Sequence, residues 1–204
     1  LTLKSNTEVK AGTDSAGSLK ITGTTMNLTD NLSTLTVADK TTLKGSTVYF
    51  YDDNDQADKY NGTDYRTITT NDLDASGTNE LFMRTNANGA YGQSAGNDKI
   101  VSTNTAIGSG TYDITVFDQG MRNGYNNAAG AAGKGHLNGD VKLIENADAT
   151  GTYNIKEMQY DNGVWAYEYE GEAEVDAAGN LNLTSITTKA AVQSSAQMAA
   201  QDAN

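Results

Sequence analysis

The chain contains no cysteine and no proline among its 204 residues. Without cysteine there are no disulfide bonds, so in an exported protein a long stable core has to come from repetition. Proline lacks the backbone N–H that interior strands donate, and a chain built of continuous strand ladders has reason to avoid it. The sequence also shows no signal peptide, no lipidation motif and no apolar run long enough for a membrane-spanning helix.

Basic residues are scarce as well. The sequence has 14 Lys+Arg against 26 Asp+Glu, a net charge of -12 and a pI of about 4.3. This charge disfavours binding to nucleic-acid phosphates and to anionic lipid headgroups, and it favours solubility of an exposed β surface. No basic cluster is present to neutralise an acidic sugar, which argues against a polysaccharide lyase. With no Ser/His/Asp order, phosphate-binding glycine loop or HExxH motif, we expect neither an enzyme nor a cofactor.

Apolar residues are modest, at 37% with a mean hydropathy of -0.56, which is low for a globule with one large core. Strand-forming valine, isoleucine, threonine and tyrosine are nevertheless spread along the whole chain. Such a composition is typical of a thin β-solenoid, in which each turn buries a few side chains against its neighbours.

Short runs of strand type recur between clusters of Asp, Asn, Gly and Ser. They cover residues 1–3, 18–22, 26–28, 34–37, 42–44, 47–51, 66–69, 80–84, 98–101, 111–117, 141–144 and 152–155. Three such strands for each coil of roughly twenty residues predict a solenoid. The Gly/Ala/Asn-rich residues 120–139 predict a long surface loop.

The clearest strand pattern lies near the end of the chain. From residue 164 to 175 the aromatic and small side chains alternate with glutamates, after a hairpin-type turn at Asp161, Asn162 and Gly163. A second strand follows over residues 180–183, after a turn at Ala178 and Gly179. We therefore predict an aromatic-faced hairpin that caps one end of the solenoid. Residues 189–204 are rich in Ala and Gln and predict a helical tail, about 24 Å long.

Three groups of segments follow one another along the chain. They are Asn71-Asp72-Leu73 to Gly77 with Leu81-Phe82-Met83-Arg84-Thr85, then Asn97-Asp98-Lys99-Ile100-Val101 with Ala106, Gly108, Tyr112, Ile114 and Val116, and finally Gly163-Val164-Trp165-Ala166-Tyr167-Glu168-Tyr169. These segments, in this order of elements, resemble the C-terminal passenger region of pertactin-like autotransporters. The resemblance covers nearly the whole chain, most firmly residues 66–190, and Asn97 and Asn104 stand where the family has glycine.

The resemblance implies a right-handed parallel β-helix over residues 1–188, with an autochaperone region over about 66–188. It implies an α-helical linker over 189–204 towards an outer-membrane β-barrel, and we read a chain that begins at Leu1 as a fragment of a longer protein. The implied location is the bacterial cell surface, the outer membrane or the medium. The implied partners are the protein's own barrel and upstream passenger rungs. The expected function is non-enzymatic folding and surface display, and the alternative is an adhesin that binds host or cell-surface ligands.

Two acidic groups are candidate sites. Asp52, Asp53, Asn54 and Asp55, with Asp58 and Asp64 nearby, have the oxygen ligands of a calcium site, which needs about six to eight, but lack the glycine pattern of known calcium loops. A solvated acidic loop is the favoured interpretation. A row of four glutamates invites comparison with the paired carboxylates of glycosidases, yet such a row is typical of the wet face of an edge strand. The row consists of Glu168, Glu170, Glu172 and Glu174.

Three further features of the sequence are candidates for a functional role. His136 is the only histidine, and its Gly-rich surroundings predict an exposed loop residue. Trp165, Tyr167 and Tyr169 suit a carbohydrate-stacking platform, although a hydrophobic cap over the last rung is favoured. The final Asn204 suits self-cleavage by asparagine cyclisation, and a boundary of the fragment explains it equally well. We therefore expect no catalytic, cofactor-binding or metal site.

Overall fold

The structure is a computed structural model and describes residues 1–10, 12, 16–61, 63–89, 94–122, 130–161 and 165–193. The fold is all-β with mainly parallel strands, as predicted. The elements are β1 Thr2–Leu3, β2 Thr7–Val9, β3 Leu19–Thr22, β4 Thr25–Leu28, β5 Thr34–Lys44, β6 Thr47–Tyr49, α1 Gln56–Asn61, β7 Thr67–Ser76, β8 Thr78–Thr85, β9 Lys99–Ser102, β10 Thr111–Asp118, β11 Val141–Glu145, β12 Thr152–Ile155, β13 Met158–Asp161, β14 Trp165–Val175 and β15 Leu181–Gln193.

The strands form two sheets. The first has the order β1-β4-β6-β8-β10-β12, and every pairing in it is parallel. The second has the order β13-β14-β15-β11-β9-β7-β5-β2, with β3 also paired to β5. Its pairings are parallel from β2 to β11, whereas β15, β14 and β13 are joined antiparallel. From β4 to β12 the chain therefore alternates between the sheets and lays each strand beside an earlier one.

Buried side chains line up across each sheet, because paired residues of parallel strands point the same way. In the first sheet the row is Met26, Val48, Leu81 and Ile114, all fully buried. In the second sheet the row is Leu35, Ile68, Ile100 and Ile144, at most 1% exposed. Burying one such side chain contributes about 1.5–3 kcal/mol, so each row stabilises the stacking of the strands that it crosses.

The repeat differs from the predicted one. Each unit from β6 to β11 contributes one strand to each sheet rather than three strands, because predicted runs merge into long strands. Residues 34–37 and 42–44, for example, both belong to β5. The spacing is also wider than predicted. Thr25 pairs with Thr47, 22 positions later, but Thr34 pairs with Thr67, 33 positions later, because inserted segments lengthen the connections.

The hairpin predicted around β14 is present: β14 pairs antiparallel with β13 on one side and with β15 on the other. Within the predicted turn at residues 161–163, Asp161 ends β13 and residues 162 and 163 lie outside the described residues. The helical tail does not begin at Lys189 as predicted, because β15 continues to Gln193. Residues 194–204, including Asn204, lie outside the described residues.

Candidate functional site

The acidic segment after β6 folds back on itself around α1. Asp55 directly precedes the helix, and its carboxylate accepts a hydrogen bond from the backbone N–H of Ala57 at 2.8 Å. Asp58 lies inside the helix, and its Oδ2 accepts the N–H of Asp52 at 2.7 Å. The ammonium of Lys59 lies 3.5 Å from Asp53 and 4.1 Å from the ring centre of Phe117 in β10. The segment is thus held both by its own polar groups and by the neighbouring sheet.

Two arginines are buried beneath this segment. Arg66 directly precedes β7, and its side chain is only 2% exposed. Its guanidinium donates to three backbone carbonyls and to one carboxylate. The acceptors are the carbonyls of Asp30 at 2.9 Å, Leu32 at 3.1 Å and Phe50 at 2.7 Å, and the carboxylate of Asp58 at 2.9 Å. Arg66 thereby joins the acidic segment to the residues just before β5 and to the residue just after β6.

Arg84, near the end of β8, is fully buried and uses all five of its N–H groups. Two go to the carboxylate of Asp98, from Nε at 2.9 Å and from Nη2 at 3.0 Å. The others go to the carboxylate of Asp58 at 2.7 Å, to its carbonyl at 2.9 Å and to the carbonyl of Asp64 at 2.9 Å. Since each donor is occupied, Arg84 has no N–H group left for a ligand.

Asp58, Arg66, Arg84 and Asp98 together form what we call the four-charge cluster, in which two positive and two negative charges balance. Complete burial raises the pKa of Asp98, while the charge and hydrogen bonds of Arg84 oppose the rise. Burial is the largest single influence on Arg84 and lowers its pKa, but the charge and hydrogen bonds of Asp98, together with the charge of Asp58, outweigh it and the pKa is raised. The pKa of Tyr65, beside Arg84, is raised to about 12, mainly by burial. The charged side chains of the cluster bind one another and the backbone groups around them.

The candidate calcium ligands are therefore divided between different tasks. Asp58 binds two arginines, Asp53 pairs with Lys59, and Asp55 caps the helix. An open cleft of about 640 Å³ lies beside them, lined by Lys4, Asp30, Asn31, Asp52, Asp55, Ala57, Asp58 and Arg66. Within the part of the chain that the structure describes, no three His, Cys, Asp or Glu side chains converge as a metal site would require.

The glutamate row lies on β14, and three of its members contact polar groups of adjacent strands. Gln159 donates to Glu168 at 3.2 Å, Thr187 to Glu170 at 3.4 Å and Ser185 to Glu172 at 3.4 Å. Glu170, Glu172 and Glu174 are exposed. Most of the row thus lies on the solvent-facing side of the hairpin, but the prediction of an edge strand is wrong, because β13 and β15 pair with β14 on both sides.

The aromatic face of β14 is turned inward. Tyr169 is fully buried, its hydroxyl donates to the carbonyl of Met121 at 3.4 Å, and the half-buried Tyr167 lies 6.3 Å from it between ring centres. The ring of Tyr169 is therefore not accessible to a sugar. The side chain of Trp165 lies outside the described residues. In the turn that follows β14, the carboxylate of Asp176 accepts the backbone N–H of Asn180 at 2.9 Å. This contact contributes most to lowering the pKa of Asp176 to about 2.

His136 is half-buried rather than free in solvent, which corrects the prediction of an exposed loop residue. Its Nε2 lies 2.8 Å from Oγ1 of Thr188, and its backbone N–H donates to the carbonyl of Ile186 at 2.8 Å. The loop that carries His136 thus lies along β15. No sequence pattern indicates this contact, because Thr188 follows 52 positions later.

The sequence comparisons give no relatives: no family model matches the chain, and no curated protein matches it either. In the described ranges no helix is long and apolar enough to cross a membrane.

Proposed function

We propose that the chain is a right-handed parallel β-helix from the membrane-proximal passenger region of an autotransporter, where it acts as a folding nucleus and scaffold for secretion. The single observation that carries this proposal is the succession of strands. Parallel ladders run through both sheets from β1 to β12, and the second sheet ends in the antiparallel β15, β14 and β13. The proposed place in the cell rests on the resemblance of the fold and of short motifs to autotransporter passengers.

The distance along the chain between paired strands supports the folding role. Parallel strands pair with partners distant in the chain, so the first turns to form bear the largest entropic cost. Antiparallel strands joined by a tight turn avoid that cost, because their partners are close in sequence. Here β14 and β15 pair from Val175 with Leu181 to Trp165 with Gln193 around one short turn. Once formed, this hairpin offers β11 a ready-made edge.

In the proposed setting the partners are the protein's own outer-membrane barrel and the upstream passenger rungs. The cell surface, or the medium after release, is the proposed location. No enzymatic step is assigned, because the four-charge cluster binds backbone groups and the glutamate row lies open to solvent.

Secretion of the full-length protein tests the proposal. Leu183→Ala removes a fully buried side chain of β15, whereas Thr187→Ala removes a partly exposed one from the same strand. We expect Leu183→Ala to lower the amount of protease-resistant protein at the cell surface, and Thr187→Ala to leave it unchanged. Deletion of residues 165–183 should abolish it. A surface protein that remains folded and protease-resistant after this deletion would contradict the proposal, and binding of the purified chain to host matrix or glycans would favour an adhesin instead.

A further inference from the structure

Three residues occupy equivalent positions directly before neighbouring strands of the second sheet. Ser33 precedes β5, Arg66 precedes β7 and Asp98 precedes β9. The pairing of Thr34 with Thr67 and of Thr67 with Lys99 places them side by side. The backbone N–H of Lys99 donates to the carbonyl of Arg66 at 3.0 Å, so the ladder begins at this corner.

Asp98 is bonded to both chain segments that meet at the corner. Its Oδ1 accepts the backbone N–H of Arg66 at 2.7 Å, and its Oδ2 accepts the backbone N–H of Arg84 at 2.7 Å. The guanidinium of Arg84 completes the set with its two bonds to the same carboxylate. One fully buried side chain therefore fixes the start of β7, in the neighbouring turn, against the end of β8.

The side chain of Arg66 continues the chain of contacts towards β5. Its backbone is held by Asp98, and its guanidinium binds the carbonyls of Asp30 and Leu32 just before that strand. Each contact therefore joins a residue before one strand to residues before the preceding strand of the sheet: Asp98 before β9 to Arg66 before β7, and Arg66 to the residues before β5. A turn that has already formed around Asp98 thus presents Arg66 to the turn before it.

Hydrophobic alternation does not define this register completely. A slip of two residues between β7 and β9 keeps inward side chains inward and outward side chains outward. The two strands pair over four residues, Thr67–Thr70 against Lys99–Ser102, and separate backbone bonds join the rest of β7 to residues 103–107. The bonds of Asp98, by contrast, form in one register alone, because the N–H of Arg66 has to lie at the corner.

We propose that Asp98 is the positioning residue that sets the register of β7 on β9 and, through Arg66, the register of the next turn. The four-charge cluster is then a device for correct stacking, and α1 provides the second carboxylate that keeps both arginines in place. This deepens the proposed folding role and rests on it for its use in the cell. Its test is made on the chain in solution, so either proposal can fail without the other.

Because the chain contains no cysteine, pairs of introduced cysteines can report the register of β7 on β9 through the disulfide that they form. In the observed register Thr69 lies opposite Val101, so the double variant Thr69→Cys/Val101→Cys should form a disulfide during oxidative refolding. The pair Thr67→Cys/Val101→Cys reports a two-residue slip, because in the observed register its Cα atoms are displaced by about 8 Å, too far for a disulfide. The ratio of the two crosslinks, measured by mass spectrometry, gives the register preference even in chains that are unstable.

Asp98→Asn should shift this ratio towards the slipped crosslink by at least about tenfold, since bonds to a buried charge are lost. Asp64→Asn is the control, because it makes the same charge change in the segment whose carbonyl, not carboxylate, binds Arg84. The double variant Arg84→Met/Asp98→Leu replaces the fully buried ion pair by apolar side chains, a replacement that is often neutral or stabilising. We expect it to lose the register preference as well. An unchanged ratio in Asp98→Asn or in the apolar pair, or an equal shift in Asp64→Asn, would overturn the proposal.

Discussion

Asp58 is the residue whose substitution tests the energetics of the four-charge cluster most directly. Its carboxylate accepts three hydrogen bonds, from the N–H of Asp52 and from the Nη1 atoms of Arg66 and Arg84. Asp58→Asn keeps the shape of the side chain but leaves one acceptor oxygen in place of two. It also leaves Asp98 as the one carboxylate bound to the guanidinium of Arg84, and leaves the guanidinium of Arg66 with carbonyl acceptors alone.

The size of the effect follows from what is lost and what remains. A hydrogen bond to a charged group contributes about 1.5–3 kcal/mol, and removal of one partner of a buried ion pair costs about 3–5 kcal/mol. The side chain of Asp58 is 16% exposed, and each Nη1 keeps a carbonyl acceptor. We therefore expect a loss at the lower end, about 2–3 kcal/mol in the free energy of unfolding. For a chain of this size that lowers Tm by about 5–10 °C.

Urea denaturation followed by circular dichroism measures this loss, with Asp55→Asn as the matched control. Asp55 lines the same cleft and caps α1, and asparagine caps a helix equally well, so the control should lose less than about 0.5 kcal/mol. Equal losses for the two variants would mean that only the general charge of the segment matters. The bonds of Asp58 to the two arginines would then not be the cause of the loss.

Two further predictions concern backbone strain and alkaline pH. Gly108→Ala should cost about 2 kcal/mol or more, because φ is +99° and a Cβ would lie 2.0 Å from the carbonyl oxygen of Ala75, while Gly139→Ala meets no atom within 4 Å and should be neutral in the same thermal melts. Burial raises the pKa of Tyr65 and Tyr153 to about 12. Their contribution to stability should be complete below pH 10 and lost as the pH rises towards 12, and tyrosinate absorbance that develops fully near pH 10 would contradict this.

The sequence predicts the strands well where polar and apolar residues alternate, since that pattern follows directly from the pleat. It does not tell how far a strand continues. β5 is an example, because the predicted break after Val37 is only a register shift, and pairing with β7 resumes at Lys40. β15 is another, because alanine and glutamine favour a helix locally, but pairing with β14 keeps them in a strand as far as Gln193.

The four-charge cluster is beyond sequence reasoning for a different reason. Arg84 and Asp98 stand in segments that resemble family motifs, but a resemblance does not state which residues touch. Asp58 belongs to an acidic segment whose composition predicts a solvated loop, and only the fold brings it to two arginines 8 and 26 positions away. The partners of Arg66 include carbonyl groups, which no side-chain pattern encodes.

The different ends of the two sheets have a consequence for self-association. A parallel ladder with matching ends would let one molecule stack on the next without limit and form filaments. Here the first sheet ends at β12, one strand beyond β10, whereas the second continues three strands beyond β11 and ends at the antiparallel β13. At this end the outermost strand of the second sheet therefore runs against the parallel ladder, and the two sheets stop at different levels. A second copy that stacked here would not meet two parallel edges at one level, so this end of the fold disfavours stacking between copies.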